Sequence, residues 1–317
     1  MLTRRSLILA ACLVQQGVRA AGFPERPIKV LHGFPPGGPP DAALRLLARA
    51  VEPQLQQPLV IHNQPGAAGM IAAEAVARAA PDGYTLLFGV AANLATGPAI
   101  RERPPYAPAD FSPIAQVARG PYAWLIRADN PARTMRDFVA WVQSRPGKVA
   151  YASPGVGSMH HLATLQLQRE TGMEMLHVPY ATSRMYDGIL SGQVEAMFES
   201  LPSPLPHLKA RTLRALAVSG PQRLTLLPDV PTLQEEGISL LASSWWGFVG
   251  PKALPGSKVD LLNTAINRAL DDPQVRSSLA GMGIEPAAGT PREFGDFIWS
   301  EYGRWRDLVR SSGLQLQ

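Results

Sequence analysis

The chain has 317 residues, 46% hydrophobic and 17% charged, so it can bury a large core and has the length of two domains rather than the composition of a disordered protein. Its formal net charge of +5 includes Arg4, Arg5 and Arg19, the only charged residues among the first twenty, which leaves +2 on residues 21–317. So small a charge, with no Lys/Arg stripe interleaved with aromatic residues, argues against a nucleic-acid partner.

Residues 1–21 are predicted to be a secretory signal peptide. "MLTRRSLILAACLVQQGVRA" has a basic start, an apolar stretch at 7–14 that is too short to span a bilayer, and a small-residue end. "TRRSLI" resembles a twin-arginine export signal. "LAAC" (9–12) resembles a lipoprotein cleavage box, the less favoured alternative. Cleavage near Ala20 would remove Cys12, the one cysteine, and the predicted compartment is the periplasm.

The first half of the remaining chain alternates strands and helices. Apolar runs predict strands at 27–31, 59–63 and 84–90, and 3.6-residue periodicity predicts helices at 41–52 and 68–80. Strands that alternate with helices pair in parallel through right-handed crossovers. This part is therefore expected to form one α/β domain.

A second block of the same kind follows a break in the middle of the chain. The predicted helices and strands of this block, together with two final helices, are 134–144, 148–153, 160–172, 175–180, 194–200, 213–219, 257–272 and 290–313. The simplest arrangement is two α/β domains between which the chain crosses twice. The crossings are placed near 119–123 and 243–248, where small residues and aromatic residues occur together.

Three glycine-containing loops follow a strand and precede a helix: "FPPGGPPD" (34–41), "NQPGAAGM" (63–70) and "ASPGVGSMHH" (152–161). Ligands of open α/β sheets bind at the carboxyl ends of strands, and a helix N-terminus there binds an anion without Lys or Arg. For 63–70 a tight connection alone is the favoured interpretation. The third loop does not match the dinucleotide-binding motif G-x-G-x-x-G, because His160 occupies the position of its last glycine. No P-loop motif occurs in the sequence either.

The residues offer little support for catalysis or for a metal. The six histidines show no metal-ligand spacing, and adjacent His160 and His161 would point about 100° apart on a helix. A triad of Ser153 or Ser158 with His161 and Asp41 leaves an α/β hydrolytic enzyme as a remote alternative, although no G-x-S-x-G elbow is present. Asp41 is more simply the N-cap of its helix.

Taken together, several runs resemble the Bug family, the TctC-like periplasmic receptors of tripartite tricarboxylate transporters. The runs are "FPERPIKVLHGFPPGGPPD", "NQPGAAGMIAAEAVARAAPDGYTLLFG", "VPY", "SGQVEAMFESLPSPLPHLKARTLRALAV", "LPDVPTLQEEG" and "SWWGFVGP". The resemblance implies a two-lobed Venus-flytrap binding protein of type II, with a mainly parallel sheet flanked by helices in each lobe and two hinge crossings. The implied segments are the signal peptide at 1–21, lobe 1 at 22–121 and 246–317, and lobe 2 at 122–245.

The resemblance also implies a function: a monomer without catalysis, cofactor or metal captures a di- or tricarboxylate, an acidic amino acid or an aromatic acid. Its partners would be the permease subunits of the transporter, or, as an alternative, a sensor kinase to which an orphan receptor presents its ligand. The ligand-binding positions carried over or marked by departures from the family pattern are Phe34, Gly37, Gly38, Asp41, Asn93, Ser153, Gly155, Gly157, Ser158, His161, Thr182, Ser183 and Ser200.

The departures bear on ligand identity. At the positions of Pro39 and Pro40 the family usually has residues that supply two N–H donors and a hydroxyl. Leu94 stands at a position where the family frequently has a histidine. A pocket with fewer hydrogen-bonding groups favours a less polar acid. The sequence therefore predicts a less polar acid, of which an aromatic acid is one example, in preference to citrate or aspartate.

Overall fold

The computed structural model describes residues 22–180, 184–201 and 203–312. The predicted signal peptide lies outside the described residues. The strands are β1 (Ile28–His32), β2 (Leu59–Asn63), β3 (Thr85–Val90), β4 (Phe111–Arg127), β5 (Val149–Ser153), β6 (Met175–Pro179), β7 (Ala196–Ser200), β8 (Leu213–Val218), β9 (Ser243–Pro251) and β10 (Glu285–Pro286). The α-helices are α1 (Pro39–Leu55), α2 (Met70–Ala77), α3 (Gly97–Ala99), α4 (Met135–Gln143), α5 (Met159–Thr171), α6 (Met185–Leu190), α7 (Leu205–Lys209), α8 (Gly256–Asp271), α9 (Pro273–Gly281) and α10 (Pro291–Ser312).

The strands form a mixed sheet in the order β2-β1-β3-β9-β4-β7-β5-β6, with β8 and β10 also paired to β4. The outer pairs β1–β2, β1–β3, β5–β6 and β5–β7 are parallel, as the alternating pattern predicts. The pairs made by β4 and by β9 are antiparallel. The result is the predicted α/β fold with two lobes, joined in the middle of the sheet by long strands.

Strand β4 belongs to both lobes. Its pairing with β9 extends from Phe111 to Pro121, and its pairing with β7 begins at Tyr122. The sequence suggested a break in this region, whereas the structure has one strand of 17 residues that changes partners there. The lobe boundaries at 121/122 and 245/246 stay a prediction.

Helix α2 is shorter than the predicted 68–80. Ala67 and Ala68 have φ of 47° and 55°, and Gly69 has φ of 84°. Residues in the left-handed region cannot continue a right-handed helix, so α2 begins only at Met70, after a short 3₁₀ segment at Ala67–Gly69. Hydrophobic periodicity does not report such a turn, and it also missed the short α9 and β10.

Helix α10 packs against the central strands and also contacts α5 of the second block. One cluster of buried side chains includes Trp245 of β9, Trp124 of β4 and Trp305 of α10. Successive residues of a strand face opposite sides, so Trp245 and Trp246 enter different clusters. Among the described residues, no helix combines the length and the apolar character needed to cross a bilayer.

The contact between α10 and β9 includes a buried carboxylate. Glu301, 6% exposed, accepts hydrogen bonds from the indole N–H groups of Trp245 and Trp305, each at 3.2 Å. It also pairs with Arg304. The Glu301 side chain therefore satisfies three donors at once.

We expect Glu301→Ala to lower the free energy of unfolding by about 3 kcal/mol, because it leaves two indole N–H groups without their acceptor and removes the carboxylate partner of Arg304, which keeps its hydrogen bond to the Leu241 carbonyl. Urea titration followed by tryptophan fluorescence measures the loss. Glu170→Ala, at an exposed position on α5, is the control and should stay within about 0.5 kcal/mol of wild type. Equal losses in the two variants would contradict this role for Glu301.

Candidate functional site

A cavity of about 740 Å³ lies between the loops of the two halves of the sheet. On the β1 side it is lined by Phe34, Pro39, Pro40 and the segment that follows β3. On the other side it is lined by residues 154–160 and by the end of β7. Residues of β4 and β9 complete it, so loops from both blocks face a single cavity.

The loop after β1 presents mostly apolar surface to the cavity. Pro39 and Pro40 are the first two residues of α1, and neither has an N–H group to donate. Phe34 packs beside the ring of His32, with the ring centroids 5.6 Å apart. The start of α1 therefore supplies shape rather than hydrogen bonds to this wall.

Asp41 lies behind that wall, is 2% exposed and does not line the cavity. Its carboxylate accepts hydrogen bonds from the Gly37 N–H (3.0 Å), from Arg45 Nε (2.8 Å) and from Asn63 Nδ2 (2.9 Å). Burial raises the pKa of Asp41, but the hydrogen bonds from Arg45, Asn63 and Gly37 outweigh it and bring the pKa to about 2. The carboxylate thus ties the loop to α1 and β2.

Gly37 and Gly38 also lie outside the cavity lining. Gly37 has φ of 92°, which favours glycine, and its N–H is donated to Asp41. Gly38 occupies the N-cap position of α1, which the sequence assigned to Asp41. The two glycines shape the turn, and Phe34, Pro39 and Pro40 are the residues of this loop that reach the cavity.

The loop after β5 reaches the cavity directly. Gly155 and Gly157 line it with φ of 140° and 79°, in the range that favours glycine. Ser158, which also lines it, is the N-cap of α5: its Oγ accepts from the His161 N–H (3.3 Å) and donates to the Gly155 carbonyl (2.7 Å). This loop ends in a capped helix N-terminus at the cavity wall.

The N-terminus of α5 offers free donors. The amides of Met159 and His160 lie in the first turn, where no carbonyl of the helix can accept from them, and both residues line the cavity. The aligned peptide dipoles add a partial positive charge at this end. The arrangement is suited to binding an anion.

His161 and Ser153 support this loop from behind and do not line the cavity. His161 Nδ1 accepts from the Gly157 N–H at 3.0 Å, and its ring stacks on His177 with centroids 4.1 Å apart. Burial, which is the larger cause, and the charge of His177 together lower the pKa of His161 to about 4. The ring is therefore neutral at neutral pH. Ser153 Oγ lies 2.6 Å from His177 Nε2 and accepts from the Gly155 N–H.

Asn93 is fully buried, and its Oδ1 accepts from the Val90 N–H at 2.8 Å. It fixes the segment after β3 without lining the cavity, and Leu94 is likewise buried in the core. Ser200, at the end of β7, does line the cavity. Thr182 and Ser183 lie outside the described residues.

Several lining residues were not among the predicted positions. They are polar or aromatic side chains brought together from distant parts of the chain: Arg101, Arg119, Tyr122, His160, Glu199 and Trp246. His160 Nε2 lies 3.5 Å from Glu199 Oε1. The position of Glu199 at the carboxyl end of a predicted strand was the available signal for it.

The side chains that the hydrolytic alternative needs do not form a triad in this structure. Asp41 is bonded to Arg45 and Asn63, while His161 Nδ1 accepts from a backbone amide. No group of three metal-ligating side chains occurs among the described residues.

Comparison with known proteins agrees with this geometry. The model of the "Tripartite tricarboxylate transporter family receptor" matches residues 43–314. Protein BugT of Bordetella pertussis is 35% identical over 98% of this chain and 97% of its own length. The structure of Rpa4515 from R. palustris with adipate has a TM-score of 0.80 at 30% identity and covers 93% of this chain and 99% of that one. MatC from Rhodopseudomonas palustris with bound malate has a TM-score of 0.76 at 31% identity, covering 90% and 100%.

The low pKa of Asp41 predicts an acid dependence of stability. Its folded-state pKa of about 2 lies below the unfolded value of 3.8, so the stabilisation is present above pH 3.8 and is lost as the pH falls through about 2. We expect Asp41→Asn to be less stable by about 2 kcal/mol at neutral pH, and the difference should shrink in acid. Urea unfolding across a pH series measures it.

The matched control is Asp260→Asn, at an exposed position on α8. It should follow the wild-type curve throughout the series. A difference between Asp41→Asn and wild type that stays constant down to the lowest pH would contradict the assignment.

Proposed function

The chain belongs to the family of tripartite tricarboxylate transporter receptors, and on that premise we propose that it is a periplasmic solute-binding protein. It captures a small organic carboxylate and passes it unchanged to the permease subunits of such a transporter. The solved relatives with adipate and with malate support an organic acid as the ligand class. The family consists of binding proteins, which supports release of the ligand without chemistry.

The observation that carries this proposal is the capped N-terminus of α5 at the cavity wall. The helix has 13 residues, and the amides of Met159 and His160 have no acceptor within it. A carboxylate placed there meets N–H donors and the positive end of the helix dipole without needing a lysine or arginine. Micromolar affinity corresponds to about −8 kcal/mol, and each charge-assisted hydrogen bond contributes about 1.5–3 kcal/mol.

The opposite wall indicates the rest of the ligand. Phe34, Pro39, Pro40, Ile100 and Trp246 line the cavity with apolar surface. A ligand that fills this space gains by removing that surface from water, about 25 cal/mol for each Å². We therefore propose that the ligand is an acid with an apolar body, aromatic or aliphatic, rather than citrate.

Binding is proposed to close the two lobes over the ligand. The observation in favour is that β4 changes its pairing partner between Pro121 and Tyr122, next to the cavity. Gly120 precedes this point, and a Cβ added to it would meet no atom within 4 Å. On this basis we place the boundary between the lobes in this stretch of β4, with the second crossing at the start of β9.

Val156→Asp tests where the carboxylate binds. Val156 lines the cavity in the loop before α5 and is 53% exposed, so the substitution should not disturb folding. A negative charge added close to the bound carboxylate, at a separation of about 4 Å, would cost roughly 1–4 kcal/mol, so affinity should fall roughly fivefold or more. Val156→Asn, similar in size but neutral, should bind within about threefold of wild type.

Native mass spectrometry of the freshly purified protein should show a co-purified acid, and isothermal titration with that acid measures both variants. Equal affinities of Val156→Asp and wild type would contradict binding at the α5 N-terminus. A ligand without an acid group would contradict the proposed function as a whole.

A further inference from the structure

The cavity contains a carboxylate of its own. Glu199, at the end of β7, is the only Asp or Glu among the described residues that line it, and it is 7% exposed. Its Oε1 accepts hydrogen bonds from the Ser200 N–H at 2.8 Å and the Ser200 hydroxyl at 3.4 Å. Burying a carboxylate beside a site for acids is unfavourable unless something compensates its charge.

The compensation available from the protein is slight. Among the described residues, His160 is the only ion-pair partner of Glu199, and its Nε2 lies 3.5 Å from Glu199 Oε1. The two arginines that line the cavity have other partners: Arg119 lies over the ring of Phe297 at 3.9 Å, and Arg101 donates to the Gly97 carbonyl at 3.0 Å. Within the part of the chain that the structure describes, no guanidinium therefore pairs with Glu199.

A second polar group lines the cavity without a hydrogen-bond partner among the described residues. The hydroxyl oxygen of Tyr186 is buried and has no hydrogen-bond partner among the described residues, while its ring stacks on His207 with centroids 4.7 Å apart. Burial, which is the larger cause, and the charge of Glu199 together raise the pKa of Tyr186. The hydroxyl therefore stays protonated. Buried hydroxyls in folded proteins nearly always have a hydrogen-bond partner, and a bound ligand can provide one.

We propose that Glu199 and Tyr186 form a second subsite in the cavity, which binds a protonated amine of the ligand apart from its carboxylate. An ammonium group supplies the charge that Glu199 lacks and hydrogen-bond donors for both oxygens. A second carboxylate at this position would be repelled. The ligand is then an amino acid with an apolar body between its two charged ends, and Glu199 selects it against dicarboxylates.

This inference rests on the proposed function, so its test uses three acids that differ only at the far end. Hexanoate carries a methyl group there, adipate a carboxylate, and 6-aminohexanoate an ammonium. A second set, benzoate, terephthalate and 4-(aminomethyl)benzoate, repeats the comparison on an aromatic body. Isothermal titration at neutral pH gives the affinity of each acid for the full mature protein.

In at least one set, we expect the amino acid to bind roughly tenfold or more tightly than its diacid and its monoacid. Glu199→Gln, nearly identical in shape, should remove this preference and improve binding of the diacid. Tyr186→Phe should reduce the preference with little effect on the monoacid. Glu170→Gln makes the same charge change at an exposed position on α5 and should match wild type.

The outcomes separate the two proposals. If the diacid binds better than the amino acid in both sets, or if Glu199→Gln leaves the preference unchanged, the subsite is overturned while carboxylate binding stands. If none of the six acids binds at millimolar concentration although the co-purified acid does, the subsite is overturned and carboxylate binding stands. If the co-purified ligand has no acid group, the proposed function fails and the subsite with it. Circular dichroism and thermal unfolding of each variant show that it is folded before titration.

Discussion

The antiparallel pairing of β4 with β9 is the constraint on which the rest of this structure depends. These strands lie in the middle of the sheet, and β4 continues from β9 to β7 and β8 without interruption. Because both blocks attach to the same strand, the loops that follow β1 and β3 face the loop that follows β5. The cavity exists because of this shared strand, and α10 packs against the same strands as a support.

Most of the polar residues near the cavity act behind its walls. Asp41 satisfies donors from three different segments, Asn93 fixes the turn after β3, and His161 accepts a backbone amide of the loop that it supports. Each is buried, so each bond forms where water does not compete for it. Loops held in this way lose little conformational entropy when a ligand arrives, which favours affinity.

The two walls differ in chemistry. The wall after β1 presents prolines and Phe34, whereas the wall after β5 presents glycines, a helix N-terminus, His160 and Glu199. A molecule with a charged end and an apolar body matches this asymmetry. The sign of the Glu199 charge then bears on which second polar group such a molecule can carry.

The sequence by itself determined the fold class, because the alternation of apolar runs with helical periodicity permits few other topologies. It also located the loops of the site, since stiff prolines and permissive glycines mark a shaped connection before a helix. It did not separate residues that line the cavity from those that brace it: Ser158 and Gly155 face the cavity, while Ser153 and His161, of the same loop, lie behind it. Which side a residue takes depends on φ angles and on hydrogen bonds to distant partners such as His177, and only the tertiary structure fixes these. The same holds for Glu199 and His160, which lie apart along the chain and meet because β7 ends and α5 begins at one edge of the sheet.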